Sequence, residues 1–167
     1  MLTNELKRRV YLKMRECMDI IFQKYGIMLP IFDVEYTLTS GVAGKAFYTQ
    51  DLIKLNPILL SQQPDAFIAR TVPHEYAHLA AYAIYGREGT GHGDRWIEVM
   101  QALGVKDISR CHTYDTSNVI RREKPYVWGC PVCKAEVRKT AQTHGKWLRR
   151  SMVHIGCNAA MKFLREE

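Results

Sequence analysis

No stretch of this 167-residue chain stays apolar for the length a membrane-crossing helix needs. Its first residues, MLTNELKRRVYLKMREC, contain no hydrophobic leader core and no small-residue cleavage site, so an unprocessed protein is expected. Internal repeats and low-complexity segments are also missing, which excludes repeat and compositionally disordered architectures. What remains is ordinary for a soluble globular protein: 47% hydrophobic and 25% charged residues. The length suits one domain with a real core and a small appendage. The expectation is a cytoplasmic, membrane-free monomer, nucleoid-associated in a bacterial host.

Cysteine is scarce and odd in number: Cys17, Cys111, Cys130, Cys133 and Cys157. An odd set in a reducing compartment argues against a disulfide framework, and closely spaced cysteines then read first as metal ligands. Acidic charge is scarce in one place. Residues 121–150 hold nine Lys or Arg against only Glu123 and Glu136, which accounts for the whole net charge of +7. The remainder of the chain balances. The positive charge is therefore local, and it overlaps the paired cysteines.

Residues 4–25 place Leu6, Val10, Met14, Cys17, Met18, Ile21 and Phe22 at helical spacing between Lys and Arg. A helix packing one face on the core is expected, with Cys17 as a small buried hydrophobe and Gly26 and Pro30 as its stop. From 32 to 57 apolar and polar residues alternate, broken at Gly41, Gly44 and Asp51, which suggests three short strands in a meander. Pro64 and Asp65 suit the first turn of a helix that runs to about Gly86. A further helix is expected over about 92–103, with Gly104 as its stop. From Tyr126 the composition turns Cys-, aromatic- and Arg-rich. The division is therefore a domain over 1–120 and a small module over 121–167.

Inside the long helix lies His74-Glu75-x-x-His78. Positions i and i+4 share one helix face, so the two imidazoles can serve one ion. Glu75 follows the first ligand directly, which sets its carboxylate beside the ion, where it can take a proton from water. Val72, Leu79, Ala80 and Ala83 mark the helix as largely buried, and buried imidazoles and carboxylates need partners. Pro73, one residue earlier, removes a backbone hydrogen bond from the helix.

Two residues compete as third ligand. Glu98 lies twenty residues after His78, a thermolysin-like spacing; His92 lies fourteen after it. At about 100° per residue, Trp96, Val99, Met100 and Leu103 fall within about 80° of His92, whereas Glu98 falls nearly opposite. His92 thus shares the buried face, and Glu98 faces water. The metzincin arrangement fails because Ala81 and Ile84 occupy the places of its Gly and third His. Three ligands, His74, His78 and His92, leave a fourth position open, as in catalytic zinc sites.

GVAGKAF (41–47), IKLNPILL (53–60), VPHEYAHL (72–79), HGDRW (92–96) and RCHTYD (110–115) occur in that order. On these motifs the chain resembles the SprT-like family, relatives of the DNA-dependent protease Spartan, over about residues 33–160. The resemblance implies an α+β fold: a zincin-like metalloprotease core of helices around a small three-stranded sheet, followed by a small zinc-ribbon-like β module. It implies zinc at His74, His78 and His92, with Glu75 as catalytic acid and base, and it implies a link to DNA. By the same match His112 is a structural or active-site neighbour rather than half of a Cys111–His112 pair.

The module departs from a ribbon with two C-x-x-C knuckles. Cys130-Pro-Val-Cys133 is one knuckle, but three residues after Cys157 stands Ala160. Counting backward gives His154-Ile-Gly-Cys157, so Cys130, Cys133, His154 and Cys157 make a Cys₃His structural zinc site. His144 competes as fourth ligand, and a degenerate ribbon without metal is the plain alternative. Arg121, Arg122, Lys124, Arg138, Lys139, Lys146, Arg149 and Arg150, interleaved with Trp128 and Trp147, suit phosphates and unpaired bases. A solvated basic surface over an aromatic mini-core is the competing reading.

The leading expectation is a zinc metalloendopeptidase, with one catalytic and one structural Zn2+, that cuts proteins bound or crosslinked to DNA. Single-stranded or distorted DNA is favoured over duplex. A non-proteolytic nucleic-acid-binding adaptor on a zincin fold is the alternative, and the retained Glu75 speaks against it.

Overall fold

The computed structural model describes residues 2–119 and 123–167. The chain divides into two compact units, Met1–Ile120 and Arg121–Glu167. Helices and small sheets occur in both, so the fold is α+β. Among the described residues no helix is long and apolar enough to cross a membrane.

In the first unit, α1 (Asn4–Tyr25) starts at Thr3, whose side chain accepts from the Leu6 N–H. It stops at Gly26, which takes the left-handed φ of 68° that a helix C-terminus favours. Val10, Met14, Cys17 and Ile21 form its buried stripe. Phe22, expected on that stripe, is instead 45% exposed. The Cys17 thiol is buried, and that desolvation pushes it up to about 12, so it packs as a hydrophobe.

Three strands follow: β1 (Asp33–Glu35), β2 (Gly44–Phe47) and β3 (Leu52–Leu55). They are not a meander. The order is β1-β3-β2, with β1 parallel to β3 and β2 antiparallel to it. A tight turn joins β2 to β3, whereas residues 36–43 are long enough to carry the chain across to the far side of the sheet. The central strand is the most apolar one, with Leu52, Ile53 and Leu55 buried. This leaves β2 as an edge strand.

Asn56 closes the sheet and opens α2 (Pro57–Gln62), a short helix absent from the sequence reading. Its fully buried side chain accepts from the Ile58 and Leu59 N–H groups and donates to the Ser40 and Val42 carbonyls. One side chain thus caps a helix and pins the loop ahead of β2. Pro57 at the first helical position completes the local logic of the LNP motif.

Helix α3 (Pro64–Tyr85) runs through the core, with twelve of its residues buried. A short 3₁₀ turn (Gly86–Gly89) then folds back on it so closely that a Cβ on Gly89 would lie 2.0 Å from the Ala81 carbonyl oxygen. Helix α4 spans Asp94–Ala102 and buries Trp96, Val99 and Met100. The irregular segment 105–119 is tied to α3. Arg70 donates to the Cys111 carbonyl and to Ser109 and pairs with Asp107, while Thr71 meets the Tyr114 hydroxyl at 2.9 Å.

The second unit holds the sheet β5-β4-β8, formed by β4 (Tyr126–Gly129), β5 (Glu136–Lys139) and β8 (Lys162–Glu166). The two-residue strands β6 (Val153–His154) and β7 (Ala159–Ala160) form a separate hairpin. In chain order α5 (Ala141–Arg149) follows β5 and precedes β6, so the module is not purely β as expected. Thr140 caps this helix, which carries Trp147, expected as a stacking face for bases, next to Leu148. Its buried core is small: Trp128, Cys130 and Met161.

Candidate metal centres and the cleft

His74 and His78 project from neighbouring turns of α3, and a third imidazole, His92, meets them. Their ligand atoms lie within 4.8 Å of one another. His74 Nε2 and His92 Nε2 are 3.1 Å apart, and the three ring centroids are 4.6–5.1 Å apart. His92 reaches them from the turn ahead of α4, not from the helix, because Gly93 and Asp94 set the helix start two residues later than expected. The helical-face argument therefore selects the residue that joins the cluster, but on a wrong premise. Glu98 is on α4 and takes no part. It does not simply face water either: Tyr85 and Tyr25 donate to its Oε1 at 2.8 and 3.3 Å, and Arg95 approaches its other oxygen.

Trp96, 1% exposed, is the floor of the cluster. Its ring contacts all three imidazoles, at centroid distances of 4.6–5.4 Å, and its indole N–H reaches the His74 carbonyl. Burial pushes His74 down to about 4 and His78 to about 3; neighbouring imidazoles add to both shifts. His92 is lowered by burial and then by Arg110. All three rings are consequently neutral near pH 7 and keep a nitrogen lone pair for a cation.

Glu75 is 6% exposed. Burial raises its carboxyl to about 8, against a smaller opposing effect of the Ala46 backbone N–H that it accepts from. The carboxyl lies so near β2 that a Cβ on Gly44 would fall 2.5 Å from Glu75 Cγ and 2.6 Å from an oxygen. Gly44 is therefore required by close approach, not by an unusual φ. A cleft of about 600 Å³ opens over these groups, walled by residues 41–46 on one side and 109–112 on the other. His112 is fixed in that wall: its Nε2 donates to the Gly41 carbonyl at 2.9 Å, and its Nδ1 accepts from the Tyr114 N–H. Gly44, Tyr48, Arg70 and the stacking role of Trp96 escaped the sequence reading. Each acts through a contact distant in sequence, and the motifs GVAGKAF, HGDRW and RCHTYD marked the segments without giving these roles.

The family-model comparison matches residues 13–117 to the SprT-like family. The chain belongs to that family. Protein SprT of Pasteurella multocida (strain Pm70) is 35% identical over 134 residues, covering 80% of this chain and 81% of that protein. Protein SprT of Vibrio parahaemolyticus (serotype O3:K6) is 30% identical over 150 residues, covering 90% and 88%. Protein SprT of Glaesserella parasuis is 38% identical over 107 residues, covering 64% and 67%. No solved structure matches the chain.

The family match ends before the second cluster, which stands on its own geometry. Cys130, Cys133, His154 and Cys157 bring one ligand atom each within 4.8 Å of the others. Cys133 Sγ lies 3.5 Å from His154 Nδ1. Backbone N–H groups of Cys133 and Val132 pull the Cys130 thiol down to about 6, while hydrogen bonds from Cys133 and Cys130 push Cys157 up to about 11. A depressed thiol is what a cation-binding knuckle needs. Left-handed Lys134 and Asn158, at φ 61° and 48°, turn the two hairpins. His144 is elsewhere: it stacks on Tyr126 at 4.0 Å and its Nδ1 accepts from Trp128 Nε1 at 3.2 Å.

Of the residues expected to meet nucleic acid, Trp128 is a correction. It is 5% exposed and packed under His144, Trp147 and Phe163, so it is core rather than a stacking face. Trp147 is half-buried, with Lys139 Nζ 4.7 Å from its ring centroid. Arg138 pairs with Glu167 at 2.5 Å, and Arg165 holds Glu136 and Glu167. Lys124, Lys146, Arg149 and Arg150 are exposed and, among the described residues, in no ion pair. Arg121 and Arg122 lie outside the described residues.

Proposed function

We propose that this protein is a zincin-type zinc metalloendopeptidase that hydrolyses proteins bound or crosslinked to DNA, brought there by its basic module. The observation that carries the catalytic half is a buried carboxylic acid beside three neutral imidazoles at the floor of one cleft. His74, His78 and His92 would hold a zinc ion, with the Cys₃His cluster holding a second, structural one. Bound at the imidazoles, zinc supplies Lewis acidity towards a carbonyl oxygen and makes water a better nucleophile near neutral pH.

The chain's own groups fit the remaining work. Edge strand β2 borders the cleft and, apart from the Ala46 N–H that Glu75 uses, offers a backbone edge without a strand partner, on which an extended peptide can lie as a further strand. Glu75, with a carboxyl value near neutrality, can take the proton of the attacking water and deliver it to the departing amine nitrogen. The Ala46 N–H holds that carboxyl in place, and Gly44 leaves it room. The buried surroundings keep bulk water from competing for the proton.

For the second half, the exposed cations of α5 and its flanks supply phosphate contacts, and Trp147 is the half-open aromatic face for an unpaired base. The adaptor alternative has no observation of its own, since a buried acid at this position serves no purpose in binding alone.

The test is Glu75→Gln. It should keep the metal content of the wild type, measured by elemental analysis, and lower peptide hydrolysis by roughly 10²–10⁴-fold. Undiminished hydrolysis would remove Glu75 from the mechanism.

A further inference from the structure

Beyond the imidazoles themselves, one hydroxyl joins the segments that carry them. The Tyr48 oxygen lies 3.4 Å from His78 Nδ1 and accepts from the Gly91 N–H at 3.1 Å. Tyr48 is the first residue of the turn from β2 to β3, His78 is on α3, and Gly91 directly precedes His92. Gly91 has φ 75°, a left-handed conformation that glycine adopts without strain and that fixes where its N–H points. The Tyr48 ring is held independently of its hydroxyl, at 5.1 Å from Tyr82 and edge-on to His78 at 6.2 Å. By contrast His92, arriving from a turn, makes no side-chain hydrogen bond among the described residues other than that with His74.

We propose that Tyr48 is a positioning residue of the histidine cluster, whose hydroxyl orients the His78 ring through Nδ1 and latches the loop that delivers His92. This rests on the metal-binding reading above. A phenol oxygen has two lone pairs. One receives the Gly91 N–H; the other accepts His78 Nδ1–H in the tautomer that an ion at Nε2 requires, whereas towards a bare Nδ1 the hydroxyl would donate its own proton. An ion at Nε2 therefore fixes the direction of this bond, and the bond in turn fixes the ring. A partner at the outer ring nitrogen typically raises metal affinity by 10–100-fold, because it fixes both ring orientation and tautomer. Here the same oxygen also fixes the next ligand's loop, so losing it removes two constraints at once.

The experiment is Tyr48→Phe in the full chain, which deletes the hydroxyl and keeps the ring. Zinc affinity, read by competition with a chromophoric chelator, should fall about 10–100-fold at the histidine cluster. The Cys₃His cluster should be unchanged and is the internal reference. Imidazole ¹⁵N resonances of the zinc-loaded protein should show the His78 Nδ1–H of wild type losing its hydrogen-bonded character in the variant. Tyr48→Leu separates this from packing: it should lower the melting temperature of the metal-free protein, whereas Tyr48→Phe should not. Equal zinc affinity at the histidine cluster in Tyr48→Phe and wild type would overturn the role of Tyr48 alone. A wild type that takes no zinc at the cluster would instead overturn the reading on which it rests.

Discussion

The two ligand clusters sit in units that stand in opposite relation to a metal. The histidine cluster is set into a unit whose core runs continuously through α1, the sheet, α3 and α4, from Val10 to Val119. Its imidazoles are held against Trp96, and burial, with smaller contributions from neighbouring imidazoles and arginines, keeps them neutral. The cysteine cluster sits in residues 121–167, where the buried cluster is Trp128, Cys130 and Met161 and Cys130 itself belongs to the candidate ligand set. A core that small supplies few kcal/mol. A site with three ligands on a self-sufficient scaffold can leave a position open for chemistry. A site with four ligands on an insufficient one spends its metal on folding.

The largest expected effect follows from that contrast. Chelation of the full chain, or Cys133→Ser, should unfold the module while the first unit keeps its helices, since structural zinc affinity on the order of 10 kcal/mol is folding free energy. Loss of the Trp128–Trp147 near-ultraviolet signal with retained far-ultraviolet helix signal is the readout. Simultaneous melting of both units would erase the distinction between the clusters.

Next in size is Gly44→Ala. The added methyl needs the space of the Glu75 side chain, so the carboxyl must move, and a displacement of about 1 Å can cost roughly 10²-fold in rate. Zinc content should not change, because the atoms nearest that methyl all belong to Glu75 and not to an imidazole. Wild-type hydrolysis in this variant would mean that Glu75 does not need its observed place.

The smallest effect is a pH dependence confined to the first unit. The folded Glu75 value of about 8 lies above an unfolded value near 4.5, so its contribution is complete below 4.5 and is lost as pH rises through 8. In the same window the unfolded histidines begin to protonate while His74 and His78, depressed in the fold, stay neutral; that opposing loss is common to wild type and Glu75→Gln. The stability difference between metal-free wild type and Glu75→Gln should therefore grow in favour of wild type by roughly 2 kcal/mol as pH drops from 8 to 6.5. Denaturant titrations of the two proteins side by side should show that growing difference.

Local signals were legible in the sequence, and pairings at long range were not. The stripe Val10, Met14, Cys17, Ile21 and the start at Pro64 follow from periodicity and from proline's fixed φ. The His74–His78 pair follows from helical spacing. The strand order does not, because the parallel partnership of Val34 with Ile53 depends on where an eight-residue linker carries the chain. The start of α4 was misplaced by two residues, and that shift moved His92 from a helix to a turn. In the module, Cys-x-x-Cys and His-x-x-Cys spacing indicated the four residues that cluster, but not that α5 separates them in the chain or that Trp128 is core. Burial of a single aromatic in so small a unit is decided by Trp147, His144 and Phe163 packing on it, which no local pattern encodes.

The central claim is that a cleft in the first unit is directed to its substrate by the charge of the second. The direct measurement is the cleavage rate of one protein presented free and crosslinked to a single-stranded oligonucleotide, at low and at high salt. The account predicts that the crosslinked form is cut at least about 10-fold faster at low salt, with the advantage fading as salt rises and counterion release weakens. Lys146→Glu with Arg149→Glu should remove that advantage while leaving cleavage of the free protein unchanged. Equal rates for the free and crosslinked substrate at every salt concentration would contradict it.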